Sequence, residues 1–326
     1  IAPMFRNTFM SVALEQFEDG VRASFRRSLD QLSADSVVAA EGVSAQGYLQ
    51  EAVSGASLWV NYGVKRGDGQ FDRLLALLTS LHPDGGGYFW RRKTLVTLEE
   101  TAGVMDEIRN SWHAEEAGPP SALKSLVGSA PDAIDNPALA WNFAMISRIS
   151  TIDLGGLTNW ILKMCCDHPQ VLEWVRVNPE TMASEGVADR SAKPSAALCV
   201  AMETLRMEQS EYLYRKVDRS FDFEGYRLQQ GWFNRLLIQE SHRDPAVFED
   251  PDRFNPERFL LRRYRRSEYS PFGIDDHGCM GFRLSQLVGR VLVEELTNFD
   301  CRIVSDGPLV RQNRHRHHWR PAPMTW

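Results

Sequence analysis

The feature that most constrains this 326-residue chain is a glycine-punctuated segment that presents one cysteine immediately before an amphipathic helix. The segment, residues 270–281, contains Cys279 between Gly273, Gly278 and Gly281. A helix start offers unpaired N–H groups and the positive end of the helix dipole, and both favour a thiolate over a thiol. The glycines allow the backbone to approach a flat, bulky ligand closely. Apolar residues follow at helical spacing: Leu284, Leu287, Val288, Val291, Leu292 and Leu296.

Phe272, Gly273, His277, Cys279 and Gly281 have the spacing of the haem-binding loop of the cytochrome P-450 family, which this segment resembles. The resemblance implies that Cys279 is the axial ligand of a haem iron and that the other four positions belong to the cofactor site. One position departs from the family pattern, because an aspartate stands where the family usually has glycine. A lone cysteine is most often a buried structural residue, but the five spaced matches favour the ligand.

A second resemblance lies upstream of this loop. Glu203 and Arg206 occur on the helix predicted over Ala196–Met207, and their three-residue spacing places both on one face. Residues 242–259 resemble the irregular segment that precedes the haem loop in the family. The resemblance implies that Arg258 completes a Glu203–Arg206–Arg258 network. Its expected role is structural, as a buried, hydrogen-bonded charge cluster that holds the haem side of the fold.

Three basic side chains are candidates to neutralise the haem propionates. The resemblance suggests His277 and Arg215, and by position Arg6 is a further candidate. The alternative for Arg215 is a surface charge at a strand edge, and the alternative for Arg6 is a solvated arginine.

A long helix is predicted from the residues after Asp135 or Asn136, either of which can cap it, to Cys166. Its length of about 30 residues corresponds to roughly 45 Å. In the family the corresponding helix crosses the haem and carries an acid–alcohol pair that handles protons during turnover. Counting back from His168, with Trp160 as a second anchor, places Ile152 where the acid belongs. The usual pair is therefore missing in this alignment.

Thr151 and Asp153 lie beside the expected positions and are the candidate catalytic residues after a one-residue shift. The alternative is that each is a polar residue facing a neighbouring helix. Residues that could line a substrate pocket are Trp141, Met145, Arg148, Ile149, Ile152 and Ser210–Leu213, although each taken singly is better explained as core than as a substrate contact.

The fold class expected is mainly α with small β-sheets (α+β), arranged as one cytochrome P-450-like domain over residues 1–326. A helical part, 1–135, precedes the part with the long core helix and the haem loop, 136–326. Because family members are longer, the resemblance implies that their N-terminal part is missing from this chain. Further predicted helices cover residues 1–32, Tyr48–Val60, Phe71–Leu81 and Thr94–Glu116, and predicted strands cover Tyr212–Val217, Tyr226–Leu228 and Cys301–Val304.

Composition limits the kinds of partner and the cellular compartment that the sequence predicts. A formal net charge of -6 argues against a nucleic-acid surface. The five cysteines form no CxxC pair and are odd in number, which fits a reducing, intracellular compartment. The sequence contains no uninterrupted apolar run of about 18 residues, so it predicts no membrane span. The chain is therefore expected to be cytoplasmic or anchored through a missing N-terminal part. His315, His317 and His318 suggest either a metal site or a solvated basic end.

The resemblance implies a haem-thiolate monooxygenase that contains haem b. It would oxidise a small, mostly apolar organic substrate with electrons from a separate NADPH-dependent reductase or ferredoxin. Two alternatives stay open. The altered acid–alcohol region suggests a haem-thiolate isomerase or peroxygenase that does not activate dioxygen. Asp275 and the missing N-terminal part suggest a truncated, non-catalytic homologue, because an anionic side chain near a thiolate disfavours the charged ligand.

Overall fold

The described part of the chain, in a computed structural model, is mainly helical with short antiparallel strands, as predicted. It comprises residues 2–39, 42–80, 88–111, 119–131, 135–178, 193–209, 212–274, 278–300, 302–303, 309–312, 316–319 and 323–325. The helices are α1 (Ala2–Ser11), α2 (Glu18–Val38), α3 (Gln46–Tyr62), α4 (Phe71–Ser80), α5 (Tyr88–Asn110), α6 (Ala122–Ser129), α7 (Pro137–Asp167), α8 (Gln170–Val177), α9 (Ala196–Thr204), α10 (Ile238–Ser241), α11 (Arg258–Leu261) and α12 (Phe282–Leu296). A 3-10 turn, Leu14–Phe17, precedes α2, and a π-helical turn, Leu205–Gln209, extends α9.

The strands form small sheets. They are β1 (Val43–Ser44), β2 (Tyr212–Lys216), β3 (Phe221–Phe223), β4 (Tyr226–Leu228), β5 (Phe233–Leu237), β6 (Arg302–Ile303), β7 (Leu309–Gln312), β8 (Arg316–Trp319) and β9 (Pro323–Thr325). Strand β9 lies between β1 and β6, and β2 pairs with β5, β3 with β4, and β7 with β8. All pairs are antiparallel, and Met324 lies opposite both Val43 and Ile303. This register connects the end of the chain to the start of α3.

Helix α7 is the element around which the others pack, and its predicted limits are confirmed. The Asn136 side chain accepts the Ala138 N–H at 3.0 Å, and Pro137 occupies the first turn. The helix has 31 residues, which corresponds to about 46 Å, and ends just before His168. It contacts α3, α5, α9 and α12.

The core lies between α2, α3, α7, α9 and α12. Helix α12 buries one apolar face, on which Val288, Val291, Leu292 and Leu296 are fully buried. Because Gly289 has no side chain, α12 approaches α9 closely: a Cβ at this position would lie 2.8 Å from the Ala201 Cβ. The Cys279 loop is therefore attached to a helix that is fixed firmly in the core.

Helices α2 and α12 are also joined by charges that the sequence did not indicate. Glu295 is 1% exposed and accepts hydrogen bonds from Arg22 Nη1 and Arg26 Nε, each at 2.9 Å. Glu18 pairs with Arg290 at the other side of the contact. This cluster connects residues far apart in sequence, which is why pattern analysis of single helices could not find it.

Some predicted boundaries were wrong. Residues 1–32 do not form one continuous helical stretch, because α1 ends at Ser11 and a 3-10 turn separates it from α2. The physical reason is the buried Arg283, whose Nη1 donates hydrogen bonds to the Met10 and Val12 carbonyls at 3.0 and 2.9 Å. Helix α5 begins at Tyr88, earlier than the predicted Thr94, and its predicted end at Glu116 lies outside the described residues.

Four short helices were missed: α6, α8, α10 and α11. Helices α6 and α8 have eight residues each and α10 and α11 have four each, too few for an apolar period to be recognised. Ser121 caps α6 by accepting the Lys124 N–H at 3.1 Å. Within the described ranges, no helix has the length and apolar character needed to cross a bilayer.

Candidate functional site

The cysteine loop folds back on itself before α12 begins. The Cys279 N–H donates to the Phe272 carbonyl at 2.8 Å, and the Gly273 N–H donates to the Ser270 carbonyl at 3.0 Å. Gly273 has a φ of 72°, in the left-handed region that glycine adopts without strain. The Cys279 side chain is exposed. The loop therefore presents an accessible thiol near the positive end of the α12 dipole.

Aromatic and small residues flank the thiol. The half-buried Phe272 ring lies 6.2 Å from the Phe282 ring, between centroids. A Cβ at Gly281 would lie 3.8 Å from the Cys279 Sγ, an ordinary contact, and its φ of -87° is open to any residue. Nothing in the described surroundings of Gly281 therefore requires glycine there. Asp275 and His277 lie outside the described residues.

Helix α1 also contacts the cysteine loop and the start of α12. The Arg6 Nη2 donates to the Gly278 carbonyl at 3.4 Å. Arg283, 8% exposed, donates to the carbonyl of Met10 in the last turn of α1 and to that of Val12 just after the helix. A cation in the first turn of α12 is disfavoured by the helix dipole, so an arginine at this position is a sequence signal for a specific partner.

The structure brings Glu203, Arg206 and Arg258 together in a buried cluster. Arg206 binds the Glu203 carboxylate with two hydrogen bonds, Nε to Oε2 at 2.8 Å and Nη2 to Oε1 at 2.9 Å. Arg258 Nε and the Asn255 N–H also donate to Oε1, at 3.1 and 2.9 Å. Glu203, Arg206 and Arg258 are 0%, 1% and 5% exposed, respectively. One carboxylate thus receives four hydrogen bonds and faces two guanidinium groups.

The remaining donors of the two arginines are directed at backbone carbonyls. Arg206 Nη1 donates to the His242 carbonyl at 2.7 Å, and Arg258 Nη1 donates to the Glu249 carbonyl at 2.9 Å. The Arg206 guanidinium also lies 5.1 Å from the Phe248 ring centroid. The cluster therefore fixes the irregular segment between β5 and the cysteine loop.

His242 connects this cluster to the cysteine loop. Its ring is fully buried, and its Nε2 accepts the Ser270 N–H at 3.0 Å. Burial lowers the pKa of His242 to about 4 and outweighs the backbone hydrogen bond with Arg206, which raises it. The ring is therefore neutral near pH 7. His242 is the first residue of the segment that resembles the irregular stretch of the family, and nothing in its sequence spacing indicated this role.

The two candidate catalytic residues on α7 do not form a pair. Thr151 is buried, and its hydroxyl donates to the Arg148 carbonyl at 2.8 Å, while its own carbonyl accepts from Gln50 of α3 at 3.4 Å. Asp153 is half-buried, and residues two apart on a helix do not share a face. Asp153 acts instead on Arg148: burial lowers the pKa of the Arg148 guanidinium, and the Asp153 charge opposes this effect.

One stripe of α7 is left partly uncovered. Met145 and Ile152 are half-buried, and Ile149 is 47% exposed. Their spacing of four and three residues places them, with Asp153, on one helix face. Arg148 borders this face, three residues after Met145 and four before Ile152, but its side chain is packed and only 8% exposed. Of the predicted pocket residues, Met145, Ile149 and Ile152 thus form a partly exposed apolar stripe. The Asp153 carboxylate lies beside it.

Other candidates are placed as follows. Arg215 is half-buried on β2, opposite Asn234 of β5. On β8, His317 pairs with Arg311 and His318 with Val310, whereas His315 lies outside the described residues, as do Ser210 and Glu211 at the start of the second predicted pocket segment. In the described part of the chain, no three His, Cys, Asp or Glu side chains are arranged to hold a metal ion.

Comparison with known proteins identifies a matching family model and similar proteins. The family model described as Cytochrome P450 matches residues 158–321. Abscisic acid 8'-hydroxylase 3 of Oryza sativa subsp. indica is 33% identical over 235 residues, covering 67% of this chain and 46% of that protein. Abscisic acid 8'-hydroxylase 2 of Arabidopsis thaliana is 24% identical over 223 residues, covering 66% and 46%. The chain thus spans about half the length of the curated relatives it matches.

Solved structures agree on the fold. The crystal structure of CalO2 superposes with a TM-score of 0.77 at 15% identity, covering 99% of this chain and 76% of that one. At such low identity the likeness concerns the fold alone.

Proposed function

Because the chain belongs to the cytochrome P450 family, we propose that it is a haem-thiolate monooxygenase in which Cys279 provides the axial ligand of haem b (iron protoporphyrin IX). The observation that carries the proposal is the exposed Cys279 thiol at the start of α12, in a loop closed by the bond from its N–H to Phe272. The residues present fit the cofactor, since the loop offers one soft, accessible donor. When bound, a thiolate-ligated haem favours cleavage of the O–O bond.

The neighbouring residues have separate proposed roles. Phe272 shields the sulfur from water, and Gly273 supplies the left-handed turn that aims the loop. Backbone N–H groups after Cys279, including the one at Gly281, tune the electron donation of the thiolate by hydrogen bonding. His277 and Arg215 neutralise the propionates. Glu203, Arg206 and Arg258 keep the segment that carries the loop in place.

The proposed substrate is a small, mostly apolar organic molecule bound against the Met145, Ile149 and Ile152 stripe, with Asp153 as the group that handles protons. The names of similar proteins support a class of substrate rather than one particular compound. Beside the abscisic acid hydroxylases stands the (+)-piperitol/(+)-sesamin synthase CYP81Q2 of Sesamum radiatum, 31% identical over 215 residues. Similar identity therefore accompanies different substrates. A separate NADPH-dependent reductase or ferredoxin supplies electrons, and the protein is intracellular, cytoplasmic or anchored at a membrane.

The test is the absorption spectrum of the haem-loaded, reduced chain exposed to carbon monoxide. We expect a strongly red-shifted Soret band, because a thiolate donates electron density to the iron. Cys279→Ser should lose the band, whereas Cys166→Ser, a half-buried cysteine at the end of α7, should keep it. A band typical of neutral axial ligands in the parent chain, or no haem uptake, would favour the non-catalytic alternative.

A second candidate function is a haem-thiolate isomerase or peroxygenase. One observation favours it: the Thr151 hydroxyl is buried and bonded to the Arg148 carbonyl, so the α7 region lacks a free alcohol beside Asp153. Turnover with hydrogen peroxide and without a reductase is the expected result for this candidate. Turnover that requires both dioxygen and a reductase would support the monooxygenase instead.

A further inference from the structure

We propose that His242 is a positioning residue for the Cys279 thiolate. Its backbone carbonyl accepts the Arg206 Nη1 at 2.7 Å, and its ring Nε2 accepts the Ser270 N–H at 3.0 Å. One residue thus joins the buried Glu203 cluster to the first residue of the cysteine loop. The inference rests on the proposed function, since it concerns the residue assigned as haem ligand.

The His242 ring has a fixed orientation. It is stacked on the Tyr269 ring at 5.3 Å and contacts the Phe248 ring edge-on at 6.1 Å, between centroids. Tyr269 is itself held by the hydrogen bond from its hydroxyl to the Met202 carbonyl of α9, at 2.8 Å. Because the ring is fully buried, it cannot rotate toward solvent, and Nε2 stays directed at Ser270.

The acceptor on the ring indicates why a histidine stands here. Nδ1 is buried, and the Arg206 backbone partly offsets the effect of that burial on the pKa of the ring. A phenylalanine would fill the same aromatic site. The feature that a phenylalanine lacks is the acceptor at Nε2, and the described bond to Nε2 is the one from Ser270.

The Ser270 bond acts on the loop through two further bonds. The Ser270 carbonyl accepts the Gly273 N–H at 3.0 Å, and the neighbouring Phe272 carbonyl accepts the Cys279 N–H at 2.8 Å. A shift of Ser270 therefore moves the turn to which Cys279 is attached. The route runs from Glu203 through Arg206 and His242 to the cysteine.

The experiment compares two amides of different reach in the purified chain before haem is added. In His242→Gln the amide oxygen reaches the position of Nε2, whereas in His242→Asn it reaches only that of Nδ1. We measure hydrogen exchange of the Cys279 amide by NMR. His242→Asn should exchange about tenfold faster than the parent, and His242→Gln should stay close to it. His168→Phe is the control, since that ring also stacks on an aromatic residue, Phe254, at 5.1 Å.

Equal exchange of the Cys279 amide in the Asn and Gln variants would overturn the proposal. If His242→Asn does not fold, as thermal unfolding would reveal, His242→Gln decides: parent-like exchange supports the positioning role and fast exchange overturns it. The haem-loaded proteins give an independent readout, because His242→Asn should show a smaller fraction of the red-shifted carbon monoxide band than His242→Gln. A parent without that band would contradict the proposed function while leaving the exchange result interpretable.

Discussion

The Glu203 carboxylate shows how one residue can hold a region together. It is fully buried, yet it compensates the charges of two arginines that are themselves buried. A buried charge is tolerated only when paired and hydrogen-bonded, and removing one partner leaves the others uncompensated. The arrangement is therefore far more sensitive to single substitutions than an ion pair at the surface.

Glu203→Gln should destabilise the chain by about 3–5 kcal/mol, because Arg206 and Arg258 would remain buried without a counter-charge. The free energy of unfolding from urea denaturation measures this change. Glu173→Gln is the matched control: Glu173 pairs with Arg176 at 3.0 Å but is 64% exposed, so a change within about 0.5 kcal/mol is expected. Similar losses in both variants would contradict the account of the cluster.

His242 should make stability depend on pH on the acidic side. Its pKa is about 4 in the folded chain, against an ordinary 6.5, so the unfolded chain binds the proton first. Its contribution is fully retained above pH 6.5 and is lost as the pH falls toward 4, by up to about 1.4 kcal/mol per pH unit. Urea denaturation at several pH values, with His242→Gln as reference, isolates this slope. A parent and a variant with identical pH dependence would show that the ring is not buried as neutral imidazole.

At the scale of elements, helix contacts are set by where small residues allow backbones to approach. Helix α12 reaches α9 at Gly289, and helix α7 reaches Gln50 of α3 at Gly155, where a Cβ would lie 2.5 Å from the Gln50 Oε1. At Gly155 the neighbour is a flexible side chain that can move. At Gly289 it is the Ala201 Cβ, which moves only with its helix, so this contact is the rigid one.

Gly289→Ala should destabilise the chain by about 1–3 kcal/mol, because the new methyl group forces α9 and α12 apart. Gly103→Ala provides the control, since no atom lies within 4 Å of a Cβ there, on the exposed side of α5. That substitution should stabilise by up to about 1 kcal/mol through helix propensity. Differential scanning calorimetry measures both, and a stabilising Gly289→Ala would mean that the two helices are not in close contact.

At the scale of the whole molecule, the contacts join distant parts of the sequence. The α2–α12 charge cluster and the β1–β9–β6 sheet each join residues from both ends of the chain. Such long-range contacts form and break together, which predicts one cooperative transition for the helical core.

Thiol labelling in increasing urea tests this cooperativity. Burial raises the pKa of the Cys199 thiol to about 12, and both Cys165 and Cys199 are buried, whereas Cys279 is exposed. Cys279 should label without urea, and the two buried thiols should become reactive together at the global unfolding midpoint. Peptide mapping by mass spectrometry separates the sites. Reaction of Cys199 well before Cys165 would indicate that α9 unfolds separately from α7.

Much of the architecture was predictable because it is encoded in local signals. The capping Asn136 and the following proline set the start of α7, and the apolar period after Cys279 predicted α12. The spacing of Glu203 and Arg206 predicted that they could pair. Helices α6 and α8 could not be found in this way, because eight residues carry too little periodic information.

The sequence by itself determined the cysteine loop, the long helix, the mainly α class and the Glu203–Arg206 pair, because each depends on spacing within a short segment. Arg258 was implied only by the family resemblance. Only the tertiary structure decided which distant groups meet. It brought Arg283 to the Met10 and Val12 carbonyls where α1 ends, and it placed His242 between Arg206 and Ser270. The physical reason is that buried donors and acceptors find partners by proximity in space, on which sequence spacing carries no information.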